Sequence, residues 1–532
     1  MRQGADRRDL LRLTAASAAC LWLPRSAWSQ PRLGSNPFTL GVASGSPLPD
    51  GVVLWTRLHS PEMLGSSHLP NTPITVRWEL AHDEAFSRLA ASGQVQAVPE
   101  LGHSVHVEVG GLDSARSYFY RFALGGAGND WVSTVGRTRT LPAPDAKSAH
   151  LRLAYASCQR WEHGFFSAWR HLVADRPDAV VFLGDYVYEY PGAANAVRLG
   201  GGSWTLTLAD YRQRYALYKS DADLQAAHAA CPWFLAWDDH EVQNDYAGIT
   251  PGDSGPPVED FATRRAAAYQ AYYEHMPLRA SVLTRALAGL ASGAEMRIYG
   301  QARFGQLATL RLLDARQYRH AQACNRDGAL GSRQLDPTSC AAWLDPARSL
   351  LGVEQERWLD ASLGRSAGEG GWNLLGQSTL FGPRDLQPGP GQRLWNDGWD
   401  GYTPARTRLV GALRKHRIAN PVLLGGDMHE NWVGHVLADY ADAASPAVGV
   451  EFCGTSISSR SGGNAQTAER LAENPHFVYA DAERKGYGIA DITAQHMNVA
   501  LRVVGDVSAK ETQIETLERF TVQAGRPKIE RG

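Results

Sequence analysis

Apolar and polar residues alternate strictly along Ile74-Thr75-Val76-Arg77-Trp78-Glu79-Leu80. The same rhythm returns where Val105, Val107 and Val109 alternate with His106 and Glu108, and along Tyr118, Tyr120, Phe122 and Leu124. A period of two buries one face of a strand and leaves the other wet. Several such short strands predict an all-β sandwich over residues 36–141. Residues 142–150, stiffened by Pro142 and Pro144, read as a linker. From 151 to 532 the pattern changes to continuous apolar runs separated by helical segments. Leu151–Ser157, Ala179–Leu183, Trp233–Trp237, Leu307–Leu313, Trp372–Gly376 and Val422–Leu424 suit strands buried on both faces. Thr403 is expected to cap a helix entered through Pro404 and running over Ala405–His416. Gly488–Thr493 and Val499–Val504 return to strand character. The pattern predicts an α/β (α+β) domain behind a small all-β one.

The first 29 residues stand apart. Arg7-Arg8 precede an apolar stretch from Leu10 to Leu23, and Ala27-Trp28-Ser29 offers a small-residue cleavage site. That layout is a signal peptide, and the paired arginines resemble a twin-arginine signal. The expectation is export through the twin-arginine machinery to the periplasm or beyond, with no membrane span left after cleavage. Removing five arginines and two aspartates takes 53 basic against 55 acidic residues to 48 against 53. This mildly acidic balance does not suggest nucleic-acid binding. Five cysteines remain, an odd number, so at least one thiol stays free. Cys324 and Cys340 flank a polar, glycine-bearing loop and are expected to form a disulfide; Cys231 and Cys453 could pair or be buried thiols.

The candidate chemistry sits at the ends of the buried runs, where open α/β sheets place ligands. Ala156-Ser157-Cys158-Gln159 ends the first run, and Gly184-Asp185-Tyr186-Val187-Tyr188-Glu189 ends the second. Asp238-Asp239-His240-Glu241-Val242-Gln243-Asn244 packs three carboxylates, an imidazole and the Asn244 carboxamide together. In Gly425-Gly426-Asp427-Met428-His429, Asp427 and His429 would face the same way on an extended chain. Any one of these has a bland explanation as a cap, core residue or disulfide half. Their joint occurrence after four strands points to a metal site. Tyrosine suits ferric iron. Oxygen donors such as Asp239, Asn244 and Asp427 suit calcium, magnesium or manganese. Two unlike metals would clamp a phosphate and activate water.

At these residues the chain resembles the PhoD-type alkaline phosphatases, a branch of the calcineurin-like metallophosphoesterases. The resemblance extends to Phe38–Gly45, Val53–Arg57, Leu313–Arg319, Trp399–Tyr402 and Glu451–Ser459. It implies a two-layer β-sandwich flanked by helices, behind a fibronectin III-like N-terminal domain. It implies a binuclear or trinuclear centre with Fe3+ on Cys158, Asp185 and Tyr188. Ca2+ would lie on Asp185, Asn244, Asp427 and His429, with Asp185 as the bridge. His240 stands where relatives meet the phosphate or protonate the leaving group. Asp239 stands where they carry an asparagine ligand. Arg160 and Arg316 are candidates for phosphate contacts, and Trp399 and Tyr402, with Ser458–Gly463, for the groove. The substrates implied are phosphate mono- and diesters or, alternatively, phospholipid head groups cleaved as by a phospholipase D. A wall- or sugar-binding protein would leave the Asp/His/Cys clusters without a purpose. A cysteine hydrolase built on Cys158 would need a partnered histidine and an oxyanion hole that no motif supplies.

Overall fold

The structure is a computed structural model that describes residues 35–59, 69–125, 131–284, 295–325, 328–442 and 444–532. The expected signal peptide lies outside the described residues. Two large sheets face each other. The first has ten strands in the order Ile529–Arg531, Ile514–Gln523, His496–Val504, Lys485–Ile492, Leu151–Ala156, Ala179–Leu183, Trp233–Ala236, Val42–Leu48, Gly51–Arg57, Ser104–Val109. The second has seven, in the order Gly300–Phe304, Ala308–Leu312, Trp372–Gly376, Pro421–Gly425, Ala447–Cys453, Asn431–Leu437, Phe477–Asp481. The central strands of each run parallel. Leu153, Val181 and Leu183 meet Leu310, Leu374, Val422 and Leu424 between the sheets. All five residues of Ala179–Leu183 are buried. Each large apolar side chain there contributes roughly 1.5–3 kcal/mol. Helices, including Ala168–Asp175, Leu208–Lys219 and Phe261–His275, cover the outer face of the ten-stranded sheet. No described helix is long and apolar enough to cross a membrane.

The N-terminal region is all-β, but its strands divide between two sheets. Leu89–Ala97, Ile74–Ala81, Ser117–Leu124, Trp131–Val132 and Gly136–Arg139 form a five-stranded sheet. It packs Val76, Leu80, Tyr120 and Phe122 against Val42, Leu54, Val105 and Val107. Those last residues belong to strands that continue the ten-stranded sheet, joined where Gly45 pairs with Trp233. The alternation identifies the strands, but an edge looking for a partner finds one in the next domain. His106 strengthens this junction. Its Nε2 lies 3.0 Å from the carbonyls of both Tyr273 and Met276, and its ring stacks on Tyr273 at 4.3 Å. Burial pushes its pKa down to about 4 against the partial support of those carbonyls. The unfolded chain, near 6.5, therefore binds more protons between these values. The junction's contribution is complete above about 6.5 and is lost as pH falls toward 4. His106→Gln should accordingly lose less stability than the parent between pH 7 and pH 4.5 in urea titrations. Parallel losses in the two proteins would contradict this.

Cys324 and Cys340 form the expected disulfide, with Cα atoms 5.9 Å apart. Cys158, Cys231 and Cys453 are buried free thiols, which removes the Cys231–Cys453 pairing. The helix expected after Thr403 runs Thr403–Lys415, but Thr403 does not cap it. A 3-10 turn over Trp399–Tyr402 leads straight in, Tyr402 takes the cap position, and Thr403 Oγ1 donates to the Asp400 carbonyl at 3.0 Å. Residues 512–532 contribute the outermost strands of the ten-stranded sheet.

Candidate metal centre

The parallel strands of both sheets end on one side, where Ser157 bridges to Ser456. Gly184, at φ +103°, turns the chain out of its strand, and a Cβ there would lie 2.6 Å from Asp238. Four side chains then emerge from left-handed backbone: Cys158 at φ 60°, Asp185 at 58°, Asp427 at 65° and His429 at 57°. Each such position costs an L-residue roughly 1–2 kcal/mol. Four of them around one centre mark strain held for a purpose. Asp427 and His429 are not on an extended chain, as the spacing suggested; two left-handed residues aim them instead.

Cys158, Asp185 and His429 bring one ligand atom each to within 4.8 Å of one another. Tyr188 closes this group, its phenol 3.0 Å from both Asp185 Oδ2 and His429 Nε2. Ser459 Oγ lies 2.8 Å from the same phenol and 3.0 Å from the Cys158 carbonyl. Asp185, Asp239 and His240 form a second group that shares Asp185. A third, Asp239, Asp245 and Asp397, shares Asp239. Asp185 Oδ1, Asp238 Oδ2 and Asp239 Oδ1 are buried without a hydrogen-bond partner among the described residues. Burial, with Asp185 beside it, pushes the Cys158 thiol well up; burial, then Asp185 and Cys158, does the same to the Tyr188 phenol. Burial also raises the Asp185 carboxyl, with His240 opposing, and raises Asp427, with Asp238 adding to it. So many anionic donors in one buried space need a cation to ionise together. Burial drives the His429 pKa down to about 3, leaving a neutral imidazole able to bind metal. The donor set fits metal ions.

His240 has a different partner. Its Nδ1 is 2.7 Å from Glu189 Oε2, while Glu189 Oε1 accepts from the Asn244 main-chain N–H at 2.8 Å. Burial opposes protonation of His240, but the charges of Glu189, Asp185 and Asp239 hold its pKa well above normal. Tyr188 packs on its ring at 4.1 Å and Tyr190 edge-on at 5.1 Å. Arg160 lies over Tyr190 at 4.8 Å and over Tyr188 at 5.7 Å.

Three sequence-based assignments change. Arg316 is 1% exposed. Its guanidinium is committed to Asp238 at 2.5 Å and Asp397 at 2.7 Å, with Asp239 at 3.4 Å, so it braces the carboxylates instead of meeting substrate. Trp399 is 1% exposed, packs edge-on against Phe381, and donates to Gln377 Oε1 at 3.1 Å. With Tyr402 it belongs to the core, not to a groove, because the 3-10 turn rolls both rings inward. Glu241 turns away from the centre and accepts the main-chain N–H groups of Asp185, Tyr186 and Asp238 at 2.7–3.1 Å. Glu189 and Asp397 are the contributors that sequence reasoning did not single out, while Ser459, expected only as part of the groove, bonds the Tyr188 phenol. Glu189 ends the Gly184–Glu189 motif, and its position beside two tyrosines was the available signal.

The family profile for PhoD-like phosphatase matches residues 153–501, and that for the PhoD-like phosphatase N-terminal domain matches residues 24–142. Alkaline phosphatase D of Bacillus subtilis (strain 168) is 42% identical over 503 residues, covering 93% of this chain and 82% of that protein. The solved structure of PhoD matches with a TM-score of 0.85 at 40% identity, over 94% of this chain and 93% of that one. With Cys158, Asp185, Tyr188 and His429 gathered at the strand ends of such a fold, the chain belongs to the PhoD-like phosphatase family.

Proposed function

We propose that the protein is an exported, metal-dependent phosphoesterase that hydrolyses phosphate mono- and diesters. The observation that carries this is Asp185, one carboxylate shared by two ligand groups and left with an unpartnered oxygen. Cys158, Asp185, Tyr188 and His429 would hold Fe3+, the ion that phenolate and thiolate favour. Asp185, Asp239, Asn244 and Asp427 would hold Ca2+ or a similar hard ion. We assign His429 to the iron group, where the family resemblance had it on calcium, because its Nε2 lies 3.0 Å from the Tyr188 phenol and beside Cys158 and Asp185. Metal ions held there supply Lewis acidity toward phosphoryl oxygens and a nucleophile at working pH. With Nδ1 committed to Glu189, His240 Nε2 is the nitrogen that can pass a proton to the leaving oxygen. Arg160, poised over Tyr190, can meet a phosphate oxygen. Export by the twin-arginine route would place this chemistry in the periplasm or outside the cell.

Assaying a monoester, a diester and phosphatidylcholine side by side tests the reading. Turnover of the first two is expected, and turnover of none would overturn it. Glu189→Gln should lower kcat about 10–100-fold, the usual effect of removing a group that orients an active-site ligand or base. An unchanged kcat would remove His240 from the mechanism.

A further inference from the structure

Arg214, on the helix Leu208–Lys219, lies outside the three ligand groups and is 4% exposed. Its four hydrogen bonds all go to main-chain carbonyls. Nη1 donates to Tyr188 and, at 2.7 Å, to Tyr190. Nη2 donates to Gly201 and, at 2.9 Å, to Ser203. A buried guanidinium is costly unless its donors are satisfied, and here one planar fork satisfies both ends of a loop. Gly192 N–H adds a bond to the Gly202 carbonyl at 3.1 Å, closing the same loop.

The two carbonyls on Nη1 flank Glu189. The tripeptide Tyr188-Glu189-Tyr190 surrounds His240, with Tyr188 packed on its ring, Tyr190 edge-on to it and Glu189 bonded to Nδ1. We propose that Arg214 is a positioning residue that sets the orientation of His240 by clamping the backbone on both sides of Glu189. It acts through Glu189 and the two tyrosines and touches no reacting atom. The inference rests on the phosphoesterase reading, with His240 as proton donor to the leaving group. A lysine at 214 could reach only part of the carbonyl set, since a point charge has no planar fork.

The test uses Arg214→Lys and Arg214→Gln in the full chain, with thermal melts to identify the folded variants. Two monoesters are compared. 4-Nitrophenyl phosphate expels an oxygen that needs no proton, whereas an alkyl phosphate expels one that does. A tilt in His240 should cost about 10–100-fold in kcat on the alkyl ester and several-fold less on the nitrophenyl ester, with KM little changed. Thermolysin should also cut faster before Leu199, which is 86% exposed within that loop. A folded variant that loses equally on both esters, or on neither, overturns the proposal. If the parent hydrolyses neither ester, the phosphoesterase reading fails by itself. The proteolysis then decides the clamp: parental resistance in the variants would refute it.

Discussion

Asp185→Asn is expected to lower kcat on phosphate esters by at least about 10³-fold, near 4 kcal/mol of lost transition-state stabilisation. The size follows from position. Asp185 is common to the Cys158–His429 group and the Asp239–His240 group, so one substitution weakens both. An amide keeps the shape but gives up the charge that would bridge two cations. It also keeps the main-chain bonds, because the Asp185 and Tyr186 N–H groups are held by Glu241 and not by the Asp185 side chain. The variant should therefore fold with an unaltered circular dichroism spectrum. Near-parental turnover would mean that the shared carboxylate is not at the reaction centre.

Asp427→Asn should separate stability from activity. Burial, with Asp238 alongside, holds the Asp427 carboxyl well above the usual range. The unfolded chain ionises it near 3.9. Between those values the folded, metal-stripped protein must bear an ionisation that the unfolded chain makes freely. Its stability therefore falls as pH rises from about 4. Asparagine abolishes that penalty, tolerates the left-handed backbone at φ 65°, and can still accept from Thr379 Oγ1, which lies 2.9 Å from the carboxylate. The stripped variant should be more stable than the stripped parent at pH 8, and by more than it is at pH 5. The metal-loaded variant should lose activity about 100-fold. Denaturant titration of both stripped proteins at pH 5 and pH 8 checks this. A gain that fails to widen with pH would show that Asp427 is not held out of its charged state. The opposition of the two effects is what a strained functional site produces.

Much of this was legible in the sequence because two periodicities are physical. Continuous apolar runs located most of the parallel strands to within a residue or two, but missed Ala447–Cys453, which pairs parallel with Pro421–Gly425. Trp372–Gly376 and Ala179–Leu183 coincide with the observed strands. The glycine-aspartate steps marked where they end. What stayed hidden depends on which way a side chain turns once the chain leaves the sheet. Asp238 and Glu241 sit in the same seven residues as Asp239 and His240. One of them braces Arg316, and the other holds three main-chain amides. Local spacing carries little sign of that division, since apart from the Asp238 amide the partners come from residues 185, 186 and 316. Trp399, expected at the groove, is in the core for a related reason: the 3-10 turn that carries it rolls the ring inward. The strand continuity through Gly45 and Trp233 was invisible because alternation describes a strand and not its neighbour.

The most direct test is turnover of 4-nitrophenyl phosphate by the purified protein before stripping its metals, after stripping, and after returning Fe3+ and Ca2+, with the metals measured at each stage. The expected result is iron together with calcium at the start, loss of turnover on stripping, and recovery only when both ions return. Full turnover in the stripped protein, or zinc as the only metal bound, would contradict the centre built around Asp185.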